Sequence, residues 1–314
     1  MIPVTLRQLR YFDALARHGH FGRAADACSI SQPALSMQIK EMEEALGGQL
    51  LERNARQVAL TRFGEELIER VRDILRSVDE LGDFARASRD RFAGRLRIGM
   101  IPTIAPYLLP RVIGNLTRAH PELDIQVREA LTPKLIQELS EGRLDTAIVA
   151  LPVSEPSLTE VGLFSEDFLL VRPRKDAGTP VPSREMLREM RLLLLEEGHC
   201  FRDQALSFCK MHSSPRELLD ANSLSTLVQM VSAGVGVTLI PEMAVSVETR
   251  SAAVSVARFK NPQPSRTIGM VWRKTSPLAR QLTQISEVVC LAAGKTQGKQ
   301  AASSRNKGIN GKPA

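Results

Sequence analysis

The hydrophobic periodicity of this chain changes once, near Gly94, and that change limits the fold more than any other feature. Before it, apolar residues recur every three or four positions, the period of amphipathic helices. After it, short alternating or wholly apolar runs are separated by helical stretches, the texture of an α/β domain. A helical first part and a strand–helix second part call for separate cores, and 314 residues are enough for two.

In the first part, Thr5 followed by Gln8 is a capping-box signature, and Leu6, Leu9, Phe12 and Ala16 then share a helix face. His18-Gly19-His20 breaks that helix. Phe21–Cys28 reads as a short helix whose alanines admit a close neighbour. A third helix spans Ser31–Gly47, with Ser31 as N-cap, Pro33 in the tolerant first turn and Gly47 at the C-terminal cap. Leu35, Ile39, Met42 and Leu46 form its buried stripe, so Pro33, Ser36, Met37 and Lys40 face outward. Two helices, a short turn and an outward polar face make the DNA-reading helix-turn-helix pattern. Leu51–Leu60 reads as two strands around Asn54-Ala55, a wing with Arg53 and Arg56 flanking its tip.

Double-stranded DNA is therefore the expected partner. Gln32, Pro33, Ser36 and Lys40 are the candidate base-facing or backbone-contacting residues, with Arg53 on phosphates or in the minor groove. For Gln32, capping the helix start is the alternative. Thr61 caps a long helix in which Leu67, Val71, Ile74, Val78 and Leu81 form an a/d seam suited to pairing with another helix, the alternative being packing on its own domain.

In the second part, strands are expected at 95–100, 123–129, 146–151, 168–171, 192–195, 235–240, 253–259 and 267–272. Intervening helices such as 133–142 and 223–234 argue for a mostly parallel sheet. From Gly294 the chain is polar and nearly free of apolar residues, the composition of a disordered tail. The expected division is residues 1–61 for DNA binding, 62–91 for the linker helix, 92–293 for the effector domain and 294–314 for the tail.

The net charge of +7 adds little. Residues 1–94 hold 14 basic and 14 acidic side chains, while the tail from Lys295 holds five basic and no acidic ones. Much of the excess therefore lies outside the segment expected to read DNA, and the argument rests on pattern rather than pI. No apolar run reaches the roughly 18 residues of a membrane span, and Met1–Arg7 lacks the apolar core of a signal peptide. With four cysteines, a reducing cytoplasmic location is expected.

Phe21, Ala24-Ala25, Ser31-Gln32-Pro33-Ala34-Leu35-Ser36, Gln38-Ile39, Glu43, Leu46-Gly47, Leu50, Arg53, Leu60-Thr61 and Gly64 together resemble the LysR-type transcriptional regulators, to about Leu291. The resemblance implies a winged helix-turn-helix, a dimerising linker helix and a two-lobed α/β effector domain like a periplasmic binding protein. It also implies that the strand near Thr267 returns to the first lobe. Met37 stands where many members carry a basic residue, a departure that bears on base preference. Within the family, Leu194-Leu195-Glu196-Glu197-Gly198-His199-Cys200-Phe201-Arg202-Asp203-Gln204-Ala205, with Phe208-Cys209, resembles the redox segment of the hydrogen-peroxide-sensing members. Ile98–Thr103, Pro106–Pro110 and Arg266–Gly269 resemble the same branch.

For an arbitrary pair of cysteines, buried packing is the ordinary expectation. With His199, Arg202 and Asp203 adjacent and the resemblance beside them, redox chemistry is favoured. A thiolate attacks peroxide, and His199 and Arg202 could supply charge or hydrogen bonds that favour it. The product is a sulfenic acid that a second thiol converts to a disulfide. The resemblance makes Cys200 the peroxide-reactive residue and Cys209 the resolving one. Phe201, Ala205, Phe208 and His212 form a helical stripe. Nine residues of helix rise about 13.5 Å and set the two positions on faces about 180° apart, whereas bonded cysteines need Cα atoms roughly 4.4–6.8 Å apart. Oxidation must then refold residues 200–209.

By resemblance, Thr103 and Thr132 offer hydroxyls to peroxide, His199 and Asp203 lie near the thiol, and Arg266 stabilises the charged site. Thr103 and Thr132 could instead cap the helices that follow them. Cys200, Cys209, His212 and His199 lack the spacing of a structural zinc site, so no metal is expected, and no cofactor. Cys28 and Cys290 read as core. Ala233–Val237 lacks the third glycine of a dinucleotide loop. The favoured reading is a peroxide-responsive transcriptional activator rather than an enzyme, a homodimer or homotetramer that meets RNA polymerase and is reset by a cellular dithiol reductant. The other readings are a regulator answering a small organic inducer, with the cysteines incidental, and a thiol peroxidase carrying a DNA domain.

Overall fold

The computed structural model describes residues 4–54, 57–87, 94–209, 220–260 and 262–294. The chain forms two compact units, Met1–Ser88 and Arg89–Ala314.

The first unit contains α1 (Leu6–His18), α2 (Phe21–Ala27), α3 (Gln32–Leu46), β1 (Leu51–Asn54), β2 (Gln57–Leu60) and α4 (Arg62–Ala87). The Thr5–Gln8 capping box opens α1, and Gly19 closes it in the left-handed region at φ 57°. His20 Nδ1 accepts from the Gly22 N–H to cap α2. Ser31 caps α3, and Gly47 ends it at φ 71°. β1 and β2 pair antiparallel, with Leu51 opposite Leu60. Phe12, Leu15, Leu35, Met42 and Leu50 centre the core. Glu43 Oε1 accepts from the backbone N–H of Leu50 and Leu51, tying α3 to the wing.

Three expectations are corrected here. Leu6 is exposed and Leu15 is buried, because the inward face of α1 runs through residues 8, 9, 12 and 15. The α4 seam is also not continuous. Ile68 and Val71 lie in the home core with Leu67 and Leu75 against them, whereas Ile74, Leu81 and Phe84 are exposed. A 26-residue helix extends about 39 Å and outruns so small a core. Cys28, read as core, is only part-buried.

The second unit holds β3 (Gly94–Met100), α5 (Ala105–Ala119), β4 (Leu123–Glu129), α6 (Thr132–Ser140), β5 (Thr146–Leu151), β6 (Leu158–Pro173), α7 (Arg184–Glu189), β7 (Leu192–Leu195) and α8 (Cys200–Cys209). It continues through β8 (Asp220–Ala221), α9 (Leu224–Ser232), β9 (Val237–Pro241), α10 (Glu242–Glu248), β10 (Val254–Ala257), β11 (Ser265–Arg273) and α11 (Ala279–Ala292). The strands run in the order β4-β3-β5-β11-β6-β9-β7-β8, with β10 also paired to β6.

This sheet is mixed rather than mostly parallel. β3 is parallel to β4 and β5, and β7 to β8 and β9. The long strands β6 and β11 run antiparallel to every strand they pair with. The expectation missed the first half of β6, where charged and small residues interrupt the apolar pattern. β11 lies between β5 and β6, with Thr267 opposite Leu151, so the C-terminal strand does return to the first lobe. The second lobe closes over Phe168, Leu192 to Leu195, Phe201, Ala205, Cys209, Leu227 and Leu239. Among the described residues, no helix is long and apolar enough to cross a membrane.

Candidate redox site and nucleic-acid interface

On α3, the buried stripe of Leu35, Ile39 and Met42 turns Gln32, Pro33, Ser36 and Lys40 outward, and all four are exposed. Met37 is exposed among them. Ser31 Oγ accepts from the Ala34 N–H and is the N-cap, so the capping alternative for Gln32 falls. Lys40 sits 3.7 Å from Glu44 on the same face. Arg53 lies in β1 opposite Val58, its side chain outside the described residues, as is Arg56.

In the second unit the turn before α8 positions the cysteines. Gly198 takes φ 92°, and a Cβ there would stand 3.1 Å from Leu131 Cδ1. This close approach sets the turn against the start of α6, where Thr132 occupies the first helical position. Thr132 Oγ1 is buried without a hydrogen-bond partner. The N-cap of α6 is Leu131, with no side-chain cap, so Thr132 is not a capping residue.

Cys200 begins α8 and is half-buried, while Cys209 ends it and is wholly buried in the second-lobe core. Neither cysteine is in a disulfide. His212 lies outside the described residues. His199 is buried, and burial pushes its imidazole pKa below the ordinary value, with the Glu196 carboxylate pulling the other way. It therefore favours the neutral form and is not a source of charge. Arg202 Nη1 donates to the Leu195 carbonyl at 2.8 Å and to Asp220 Oδ1 at 2.6 Å, which ties α8 to β7 and β8. Its charge is thus matched by Asp220. Asp203 is exposed on the first turn.

Thr103 and Arg266 meet directly. Arg266 Nη1 donates to Thr103 Oγ1 at 2.9 Å and Nη2 to the Thr103 carbonyl at 3.1 Å. The N-cap of α5 is Ile104, without a side-chain cap, so the capping alternative for Thr103 falls as well. The Arg266 guanidinium lies 5.5 Å from the Phe201 ring and 5.9 Å from that of Phe168, within cation–π range. Phe168 and Phe201 pack edge to face at 4.7 Å.

Sequence reasoning missed Glu166, which pairs with Arg266 at 2.9 Å and stands opposite it across β6 and β11. The residues are 100 positions apart and carry no local signal. It also missed Tyr107 on α5, whose hydroxyl donates to Glu248 Oε1 on α10 at 2.6 Å. Burial, with the adjoining carboxylate, pushes the Tyr107 pKa well above the usual phenol range. Among the described residues, no three His, Cys, Asp or Glu side chains are grouped to hold a metal ion.

The known proteins most informative for this geometry agree with one another. The bacterial regulatory helix-turn-helix pattern of the lysR family matches residues 6–65, and the LysR substrate binding domain matches residues 89–289. A probable hydrogen peroxide-inducible genes activator of Streptomyces viridosporus is 44% identical over 287 residues, covering 90% of this chain and 92% of its own. The DNA-binding transcriptional dual regulator OxyR of Escherichia coli K12 is 41% identical over 291 residues, covering 91% and 95%. A full-length cysteine-to-aspartate variant of OxyR from Pseudomonas aeruginosa superposes with a TM-score of 0.73 at 35% identity, covering 94% of this chain and 99% of that one. A cysteine-to-serine variant of Corynebacterium glutamicum OxyR with hydrogen peroxide bound gives 0.64 at 33% identity, covering 96% and 99%. With its helix-turn-helix, its two-lobed effector unit and at least 90% of its length matched, the chain belongs to the LysR family of bacterial transcriptional regulators, in the OxyR group of hydrogen peroxide-inducible activators.

Proposed function

We propose that the protein activates transcription in response to hydrogen peroxide, with Cys200 as the reactive thiol and Cys209 as its resolving partner. The observation that carries this reading is the placement of two cysteines, neither in a disulfide, at opposite ends of one intact helix, the first following a turn whose Gly198 abuts Leu131, the neighbour of Thr132. The Cys200 thiolate attacks one peroxide oxygen, the O–O bond breaks, and the other oxygen leaves as hydroxide and is protonated to water. Cys209 then attacks the sulfenic sulfur, a second water leaves, and the disulfide forms. The two electrons come from the two thiols. Thr103 and Thr132 offer hydroxyls to the bound oxidant, His199 a neutral imidazole, Asp203 a nearby carboxylate, and Arg266 positive charge. Arg202 anchors the helix.

A disulfide is available only to a chain in which α8 has unwound, so oxidation biases the effector domain toward a second conformer. The α3 face carrying Gln32, Pro33, Ser36 and Lys40 enters the major groove, with Arg53 on the flanking backbone or minor groove. The exposed apolar residues of α4 pair with a second copy, in a homodimer or homotetramer. The conformer change alters promoter occupancy and contact with RNA polymerase. Oxidation is stoichiometric, without turnover, and a cytoplasmic dithiol system reverses it.

Promoter footprinting and in vitro transcription, with and without peroxide, test the reading in wild type and C200S. Retained DNA binding with a lost peroxide response in C200S is expected. A peroxide response intact in C200S overturns the proposal.

A further inference from the structure

We propose that Glu166 is a positioning residue of the peroxide site that acts through Arg266, an inference resting on the peroxide-sensing reading above. Both side chains are almost wholly buried, at 1% and 0% exposure. Glu166 Oε2 stands 2.9 Å from both Nε and Nη2 of Arg266. Its other oxygen, Oε1, accepts the backbone N–H of Met243 at 3.0 Å, in the first turn of α10. With each oxygen committed to a different element, the carboxylate cannot rotate without losing a buried hydrogen bond.

A fixed carboxylate fixes the guanidinium, because Arg donors project in one rigid plane. That plane directs Nη1 at Thr103 Oγ1 and Nη2 at the Thr103 carbonyl, and holds the cation against the ring of Phe201, the neighbour of Cys200. A hydroxyl whose lone pair receives the guanidinium N–H has its own O–H left to donate. Thr103 is thereby set as a donor for the peroxide oxygen that must leave as hydroxide. Glu166 touches neither the oxidant nor the sulfur. It determines where the groups that do so stand.

The test uses full-length reduced protein. Wild type, E166Q, E166D, R266M and E166Q/R266M are mixed with peroxide and quenched, and Cys200 oxidation is timed by mass spectrometry. Iodoacetamide alkylation of Cys200 is timed in parallel, since it needs a thiolate but no aligned proton donor. E166Q keeps the volume and loses the charge, and it should slow oxidation about tenfold or more while changing alkylation by less than about threefold. E166D keeps the charge but is one methylene too short to reach both partners, and it should fall between E166Q and wild type. In the R266M background E166Q should add nothing, as expected for residues acting as one unit.

Oxidation at the wild-type rate in E166Q or in E166D overturns the proposal. So does an E166Q effect that persists undiminished on top of R266M, or oxidation and alkylation falling together. If E166Q does not fold, as judged by circular dichroism, the decision passes to E166D, where a wild-type oxidation rate again refutes it. Failure of wild-type Cys200 to react with peroxide at all refutes the functional reading instead.

Discussion

Cys200 and Cys209 occupy the first and last positions of α8, with Cys209 buried in the second-lobe core and Cys200 at the half-buried edge of the turn. Nine residues of helix keep them about 13.5 Å apart along the axis, well beyond the roughly 4.4–6.8 Å between Cα atoms that a disulfide requires. The reduced fold and the disulfide are mutually exclusive locally. Peroxide treatment should link the two cysteines in tryptic peptides and lower the helical circular dichroism signal by about the content of one short helix. C209S should stop at a Cys200 sulfenic acid that dimedone traps, with its helical signal retained. Equal helix content in reduced and disulfide-linked wild type would contradict the mechanism.

The buried His199 gives stability an acid limb. Its pKa is lower in the folded chain than in the unfolded one, so the unfolded state binds more protons below the ordinary value of 6.5. This contribution is complete above that value and is lost as the pH falls through the folded pKa. Urea unfolding followed from about pH 7 to pH 5 should give a shallower decline for H199Q than for wild type.

Tyr107 gives the opposite limb. Its raised pKa means that the folded chain holds the phenol proton in alkaline solution while the unfolded chain releases it. The stability is present below the ordinary value of 10.0 and is lost as the pH rises above it. Y107F should cost about 1–2 kcal/mol at neutral pH, the scale of a hydrogen bond to a carboxylate in a half-buried place. It should also show less alkaline loss than wild type in the same assay.

Two glycines on α4 should behave oppositely. A Cβ on Gly64 would lie 2.2 Å from the Leu50 carbonyl oxygen, a backbone atom that cannot move aside without breaking the wing from the helix. Gly82 meets nothing within 4 Å. G64A should destabilise the first unit by about 2 kcal/mol or more through overpacking. G82A should stabilise by about 0.5–1 kcal/mol through helix propensity. Chemical denaturation of the full chain reads both.

On DNA, Lys40 and Gln32 should separate by role. K40A should weaken binding by a similar factor on specific and random duplexes and reduce the slope of log affinity against log salt by about 1. Q32A should cost about 1–3 kcal/mol on the specific operator and much less on random sequence. Fluorescence anisotropy across a salt series distinguishes them, and equal salt slopes for K40A and wild type would remove Lys40 from the phosphate contacts.

The features readable from the chain are those whose physics closes within a few residues. The Thr5–Gln8 capping box, the Ser31 cap, the Gly47 terminus and the outward face of α3 follow from hydrogen bonds and periodicity inside one or two turns. β4, β5 and β7 have the bounds expected from their local apolar runs. The helix over 200–209 was readable for the same reason, and with it the incompatibility of its two cysteines with a bond.

Long-range pairing accounts for the rest. Leu6 and Leu15 are both apolar and adjacent to the same helical stripe, and only the packing of α1 against α3 and α4 put one outside and the other in the core. The Arg266–Glu166 pair exists because β11 runs antiparallel to β6 in a register that sets them opposite. Thr103 joins them from a third segment. Caps and periods are local energies written in neighbouring residues, whereas strand register is settled by the burial of a whole sheet, so the cluster of Arg266, Glu166 and Thr103 emerges only when the chain has closed around it.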